Sequence, residues 1–220
     1  MSTTTTNLSP DIHLIGPTTP EISTILSSIV HLHASCILND YTLATFLPPL
    51  SHDFMSQWWQ GQLDEVTAGK RHIIIQISEV SDRSSNNDKD VAAPWSSEGR
   101  DWPLLKNGLE VSGVVALSTP FSQTGPFRAV VQKLFVSPLH RQRGIARRMM
   151  VKLEEVALAH DRWNLMLDTT VGSAAEDVYP RLGYERLGVV REYGYSPKDG
   201  RLVDEVWFWK DLRKHRLQER

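Results

Sequence analysis

Six consecutive residues in the middle of the chain have the composition of an anion-binding loop: Arg141, Gln142, Arg143, Gly144, Ile145 and Ala146. They follow the apolar run 130–136 and precede an amphipathic segment, so a predicted strand and a predicted helix flank them. The first N–H groups of a helix lack intrahelical acceptors and lie at the positive end of the helix dipole. Small residues at 144 and 146 let an anion approach that backbone closely. The pattern predicts a pyrophosphate site.

The same residues exclude two other phosphate-binding motifs. A nucleoside triphosphatase loop needs Gly-Lys-Ser/Thr at the helix start, whereas Gly144 is followed by Ile145 and Ala146. A dinucleotide-binding fingerprint needs G-x-G-x-x-G, and its second and third glycines are missing here. By itself, the remaining string R-x-x-G-x-A does not distinguish a phosphate site from an ordinary basic loop at a helix start.

The elements that must position this loop follow from apolar periodicity and cap residues. We predict an α/β fold, more exactly α+β, in which a mixed, mostly antiparallel sheet is flanked by helices. Strands are expected over 11–15, 71–78, 109–118, 127–136, 163–169, 184–190 and 201–210. Helices are expected over 21–36, 51–68 and 144–160, with a further one from the capping box 173–176 to Gly183.

Length and composition indicate one domain of 220 residues. A net charge of −2 argues against a nucleic-acid partner. The single cysteine, Cys36, cannot form an internal disulfide and is expected to be a buried small hydrophobe. No apolar run reaches about 18 residues, so we expect no membrane association and a cytoplasmic location. Polar composition predicts a flexible lead over 1–10, a flexible loop insertion over 81–108 and a charged tail over 213–220.

Two motifs resemble the GNAT acetyltransferase superfamily. Residues 130–146 look like its acetyl-CoA motif, whose loop is [QR]-x-x-G-x-[GA]. Residues 175–184, A-E-D-V-Y-P-R-L-G-Y, are similar to its later helix, which ends in Y-x-x-x-G-[FY]. The likeness covers 110–210 well and 11–78 only in the order of elements. It implies a single GNAT-like domain over 11–212, splayed at its central parallel strands, with acetyl-CoA as co-substrate.

Three further strings are similar to the tabtoxin-resistance acetyltransferase group: V-Q-K-L-F-V, L-D-T-T-V-G-S-A-A-E-D-V-Y and P-K-D-G-R-L. This likeness implies direct acetyl transfer to a primary amine of a small molecule, such as a toxin, an antibiotic or a secondary metabolite. Two alternatives stay open, namely acetylation of a protein or peptide and a non-catalytic module that binds acetyl-CoA. We expect no metal and a monomer or homodimer.

The superfamily resemblance also implies roles for individual residues. The pantetheine arm would bind like an added strand to the main chain of Leu134, Phe135 and Val136. The pyrophosphate would lie against the helix start, held by Arg141 at the [QR] position and by Gln142, Arg143, Gly144, Ile145, Ala146 and Arg147. His140 and Arg148 are left open as solvated neighbours or as further contacts.

For the chemistry, Tyr179 matches the general acid of the superfamily. A phenol is protonated at neutral pH and can donate to the leaving thiolate. Asp168 is the candidate base, while a structural Asp or a water chain stays possible. Gln132 stands where many members carry Glu, so it offers no base and is a candidate substrate contact. The acceptor cleft is expected near residues 39–41 and 192–195, from which no substrate-binding residue is assigned.

Overall fold

The computed structural model describes residues 8–80, 95 and 102–213. Residues 1–7 of the predicted lead 1–10 and residues 214–220 of the predicted tail 213–220 lie outside that part of the chain. The strands are β1 (Ile12–Ile15), β2 (Arg71–Glu79), β3 (Leu109–Ser118), β4 (Arg128–Val136), β5 (Asn164–Thr170), β6 (Glu185–Tyr195) and β7 (Leu202–Asp211). The helices are α1 (Ile22–Asp40), α2 (His52–Thr67), α3 (Ile145–Ala159) and the single turn α4 (Val178–Arg181), with a 3-10 turn at Pro138–His140.

The seven strands form one open sheet in the order β1-β2-β3-β4-β5-β7-β6. β4 and β5 are parallel, and the other neighbouring pairs are antiparallel. This confirms the predicted mixed sheet. It also confirms the expected antiparallel pairing of β3 with β4.

Apolar side chains form one cluster on each face of the sheet. Val114 belongs to the cluster under α1 and α2, and its neighbour Val115 belongs to the cluster under α3. Successive residues of a strand point to opposite faces, so one strand supplies both cores. The sheet is therefore the middle layer, and a site at its centre can be reached from both faces.

The first helix is longer than predicted. The periodicity indicated 21–36, whereas α1 continues to Asp40 and ends at Tyr41, which takes a left-handed φ of 55° and donates its N–H to the Ile37 carbonyl. Among the described residues, α1 is the one helix long and apolar enough to cross a membrane, with 61% of its 18-residue window buried in the protein. Its extra turn brings Asp40 to the loop before α3.

The two parallel strands separate after three residue pairs. Arg128, Ala129 and Val130 pair with 164–166, and no pairing follows further along β4. A bulge lies just beyond, where Lys133 takes a left-handed φ of 56° and the register between β3 and β4 shifts. A bulge bends its strand, so β4 turns away from β5. The predicted splay at the central parallel strands is confirmed.

The helix predicted from residue 173 is much shorter than the capping box suggested. Residues 171–177 form turns, and α4 holds only four residues. The Glu176 carboxylate accepts a hydrogen bond from the Gly172 N–H at 2.7 Å, so it closes a turn instead of capping a helix. Pro180 falls within the first turn of α4, where its missing N–H removes no intrahelical bond.

The predicted insertion 81–108 lies partly outside the described residues, at 81–94 and 96–101. Trp95 donates its indole N–H to the Leu50 carbonyl at 3.3 Å and packs edge-on against His31 and His52. Trp102 and Leu105 are buried in the cluster under α1 and α2. Within this segment, Trp102 and Leu105 are therefore anchored in the core, while residues 106–108 are exposed.

Candidate active site

The predicted anion loop leads into α3 through two left-handed residues. Gln142 has a φ of 60° and Gly144 a φ of 72°. The second suits glycine, because side chains with a Cβ disfavour that conformation. α3 starts at the next residue, so its free N–H groups face the loop. Arg143 and Arg147 are exposed beside them. The predicted residues 142–147 therefore share one helix start, although Ile145 itself is a buried core side chain.

Arg141 is held by the first helix. Its guanidinium forms an ion pair with the Asp40 carboxylate at the end of α1. Arg148 donates to the Arg143 carbonyl at 2.8 Å and to Gln76 at 3.2 Å. Arg148 therefore links the loop to β2 by hydrogen bonds and is not merely a solvated neighbour.

A buried pair lies beneath this loop. His140 is fully buried and its Nε2 contacts the Glu110 carboxylate of β3 at 2.5 Å. The Arg143 guanidinium lies 3.3 Å from the other imidazole nitrogen, Nδ1. The reading of His140 as a solvated neighbour is therefore wrong. A separation of thirty residues along the chain hides this contact from any local pattern.

The three residues predicted to contact pantetheine lie beyond the splay. Leu134, Phe135 and Val136 belong to the part of β4 that β5 does not pair. Phe135 stacks on His33 at 4.6 Å between ring centroids, so its side chain is core. The main chain of this stretch faces the gap between β4 and β5, as an added strand requires.

Tyr179 of α4 belongs to the apolar cluster on the α3 face of the sheet, which contains side chains of β5 and packs against the end of β4. Its ring packs against Phe208 at 5.6 Å and Tyr184 at 5.9 Å, and only 5% of the residue is exposed. Burial, together with the nearby carboxyl groups of Asp168 and Glu205, raises the pKa of Tyr179 above its ordinary value. The phenol is therefore protonated at neutral pH and can act as a proton donor.

Asp168 shares its surroundings with two residues that the sequence analysis missed, Glu205 and Lys133. Burial and a side-chain hydrogen bond with Asp168 raise the pKa of Glu205 to about 9. Lys133 donates to Thr45 at 2.7 Å and lies 5.5 Å from the centre of the Trp58 ring. Burial lowers its pKa, while Asp168 opposes that shift.

A local signal for Glu205 does exist. In the strand pattern L-V-D-E-V-W-F-W, a charged residue alternates with Val203 and Trp207 on one face of β7. A carboxyl between apolar residues on one face of a strand is unusual, because burying an isolated charge is costly. The sequence offers no comparable signal for Lys133, whose placement depends on the bulge.

The acceptor side of the sheet is covered by the loop after α1. The ammonium nitrogen of Lys198, in the β6–β7 turn, lies 5.1 Å from the centre of the Tyr41 ring. Leu43 packs so closely on Gly194 that a Cβ at that glycine would stand only 3.0 Å from it. The side-chain oxygen of Gln132 accepts a hydrogen bond from the guanidinium of the buried Arg71 at 2.9 Å. The same guanidinium donates to the Glu65 carboxylate at 2.7 Å. The candidate substrate contact Gln132 is therefore already engaged within the protein through its oxygen.

Other residues of the predicted acceptor region lie further out. Asn39 bonds back to Ser35 within α1, and Asp40 pairs with Arg141. Tyr193 packs near Trp207, at 6.2 Å between ring centroids. Glu192 and Tyr195 are exposed on β6. Burial, together with the charges of Asp168 and Glu205, raises the pKa of Tyr193 above its ordinary value.

These features fit acetyl-CoA. An unpaired strand edge suits an extended amide-bearing arm, and a basic helix start at the end of the same strand suits a pyrophosphate. A groove of about 370 Å³ continues between α3 and α4; Arg147, Met150, Val151, Pro180 and Arg181 are among the residues that line it. Within the described part of the chain, no group of three or more His, Cys, Asp or Glu side chains could hold a metal ion.

Comparison with known proteins agrees with this geometry. Residues 102–186 match the family model of an acetyltransferase (GNAT) domain. Ribosomal-protein-alanine N-acetyltransferase from Brucella melitensis is 16% identical, with a TM-score of 0.60 over 91% of this chain and 99% of its own. The chain has a GNAT-like fold. The matched residues include the predicted acetyl-CoA loop, and the solved neighbours extend the likeness of the fold to most of the chain.

Two further neighbours illustrate how widely the GNAT acceptors differ. Phosphinothricin acetyltransferase from Sinorhizobium meliloti, solved in complex with AcCoA, is 17% identical, with a TM-score of 0.60 over 92% of this chain and 89% of its own. Ribosomal-protein-S5-alanine acetyltransferase from Vibrio fischeri is also 17% identical, with a TM-score of 0.61 over 93% and 94%. Identities this low show the fold, and the likeness to the tabtoxin-resistance group stays a prediction.

Proposed function

We propose that this GNAT-like chain transfers the acetyl group of acetyl-CoA directly to a primary amine of a small molecule. The observation that carries the proposal is the splay between β4 and β5. Tyr179 reaches it from one face of the sheet, and Asp168, Glu205 and Lys133 surround it on the other. Donor and acceptor can therefore meet at one point from opposite sides.

In this proposal, the cofactor is held by main-chain groups of 134–136 and by the helix start at 142–147. Arg141 contributes from its ion pair with Asp40. Acetyl-CoA supplies the acetyl group as a thioester. When acetyl-CoA is bound along the unpaired strand edge, donor and acceptor react within one ternary complex. The reaction is then favoured because the reacting groups are close together and correctly oriented.

Two proton movements then fall to side chains. The protonated amine loses a proton to Asp168, which frees its electron pair for attack on the acetyl carbon. Tyr179 gives its proton to the departing sulfur, and the phenolate recovers a proton from the newly acylated nitrogen. Overall, one proton passes to solvent for each acetyl group transferred.

The covered acceptor side favours a small molecule over a peptide. The loop 41–50 packs against the β6–β7 hairpin, where Tyr41 contacts Lys198 of the turn and Leu43 contacts Gly194 of β6. A peptide chain needs an open groove on that side. Acetylation of a protein N-terminus is the second candidate, because two of the structural neighbours are ribosomal-protein alanine acetyltransferases.

The test is a thiol-release assay with acetyl-CoA and a panel of small amines, in parallel with peptides analysed by mass spectrometry. Tyr179→Phe should lower kcat by about 100-fold or more, since general acid catalysis contributes roughly 10²–10⁴-fold. The matched control is Tyr184→Phe, which removes a neighbouring buried hydroxyl. Full activity of Tyr179→Phe at saturating substrate contradicts the acid role. Modification of peptides alone contradicts the small-molecule choice.

A further inference from the structure

Glu205 and Asp168 stand on the same face of neighbouring strands. In the antiparallel β5–β7 pair, Asp168 is opposite Trp207 and Thr170 is opposite Glu205. Directly opposed residues share a face of the sheet, and residues two positions apart on one strand share it as well. The two carboxyl groups are therefore diagonal neighbours, close enough for a hydrogen bond between them.

The Glu205 carboxyl is deeply buried and incompletely paired. Glu205 is 3% exposed, and its Oε2 has no hydrogen-bond partner among the described residues. The indole N–H of Trp207, two positions along the same strand, also has no hydrogen-bond partner among the described residues. Buried polar groups are nearly always hydrogen-bonded. An unpaired acceptor and donor side by side mark a place where a bound polar molecule would pair.

The charges around Glu205 do not balance if both carboxyls ionise. The titratable groups that interact with it electrostatically are Asp168 of β5, Lys133 of β4, Tyr179 of α4 and Tyr193 of β6. Both tyrosines are neutral at physiological pH, so Lys133 is the one cation of this set. Two carboxylates in one poorly solvated site favour the retention of one proton. Glu205 is more buried than Asp168, so Glu205 is the carboxyl group that retains the proton.

We propose that Glu205 is a positioning residue of the transfer site, which donates a hydrogen bond from its own carboxylic acid to the Asp168 carboxylate. This rests on the proposed function. Asp168 is thereby held with one oxygen free toward the splay. When a substrate ammonium arrives, its N–H bond breaks, the electron pair stays on nitrogen and the proton forms an O–H bond on Asp168. Glu205 keeps its proton, and Asp168 later releases the transferred one to solvent.

Three variants test this role through the pH profile of kcat/KM. Glu205→Gln retains a neutral hydrogen-bond donor and should keep kcat within about threefold of wild type at pH 7.5, because its amide can still orient Asp168. The ionisation near pH 9 should vanish from its profile. Glu205→Ala loses the donor, and kcat should fall by about tenfold to 100-fold through misplacement of the base. The KM for acetyl-CoA should stay unchanged in both.

The matched control is Asp204→Asn on the same strand. Asp204 accepts a hydrogen bond from the Glu192 N–H, which an amide oxygen can still accept, so wild-type kinetics are expected. The positioning role is overturned if Glu205→Gln is as slow as Glu205→Ala, because the ionised carboxylate itself would then be needed. It is equally overturned if Glu205→Ala keeps the wild-type rate.

A second readout needs no turnover. With ¹³C-labelled glutamate carboxyls, the NMR signal absent from Glu205→Gln should titrate near pH 9 in the wild-type protein and lower in Asp168→Asn. A titration near the ordinary glutamate value overturns the pair even in a chain that acetylates amines. Conversely, a shifted signal in a chain that turns over no amine overturns the proposed function and the role of Glu205 in it. The two failures are thus distinguishable.

Discussion

Replacing Glu110 by Ala removes the carboxylate that His140 Nε2 contacts at 2.5 Å. The side chains of His140 and Glu110 are 0% and 3% exposed. Solvent cannot replace the missing partner at such a depth, and a buried polar group left without its hydrogen-bond partner costs about 1–3 kcal/mol of the free energy of unfolding. The substitution also frees the imidazole that faces Arg143. We therefore expect a large loss of stability together with weaker cofactor binding.

An exposed pair in the same protein supplies the control. Lys152 and Glu155 on α3 are 3.0 Å apart, with side chains 44% and 61% exposed. Exposed ion pairs contribute about 0.2–1 kcal/mol, because solvent screens their attraction. Glu155→Ala should thus lower the free energy of unfolding by less than about 1 kcal/mol, although it removes the same chemical group.

Urea unfolding followed by tryptophan fluorescence measures both variants. With a slope of roughly 2 kcal/mol/M, the midpoint should fall by about 0.5–1.5 M for Glu110→Ala and by less than about 0.5 M for Glu155→Ala. Calorimetric titration of acetyl-CoA into the folded Glu110→Ala protein should show binding weakened by about tenfold, since one hydrogen bond to a charged group is worth about 1.5–3 kcal/mol. Equal midpoints for the two variants would refute the reasoning.

Two further predictions concern the core beneath the site. A Cβ at Gly113 would stand 2.7 Å from Met149 Cε and 3.0 Å from Ile145 Cγ2, so Gly113→Ala should cost about 1–3 kcal/mol in urea unfolding. Gly61→Ala in α2, where nothing lies within 4 Å, should cost nothing, and equal losses would contradict the packing argument. Burial lowers the pKa of His33 to about 3, below its unfolded value, so stability should decrease as pH falls from about 6.5 toward 3. ¹⁵N NMR should find this imidazole neutral at pH 5; a protonated ring there would contradict the prediction.

Local patterns predicted most elements of this protein and the loop of its candidate donor site. Runs rich in apolar residues predicted β2, β3 and β4, and helical spacing of apolar residues before Gly69 predicted α2. The loop 141–146 was recognisable because strand, glycine and helix start are consecutive in the chain. In such cases, the residues that cooperate lie within a few positions of one another, so their spacing carries the information.

Only the tertiary structure decided which distant side chains meet. Strand order and the β5–β7 register bring Glu205 to Asp168, the unforeseen last turn of α1 brings Asp40 to Arg141, and burial under α3 joins His140 to Glu110. Each contact depends on how whole helices and strands pack against one another, and no single stretch of sequence predicts that packing. The donor side of the site was therefore predictable from local residues, whereas the proton-handling groups at the splay required the folded sheet.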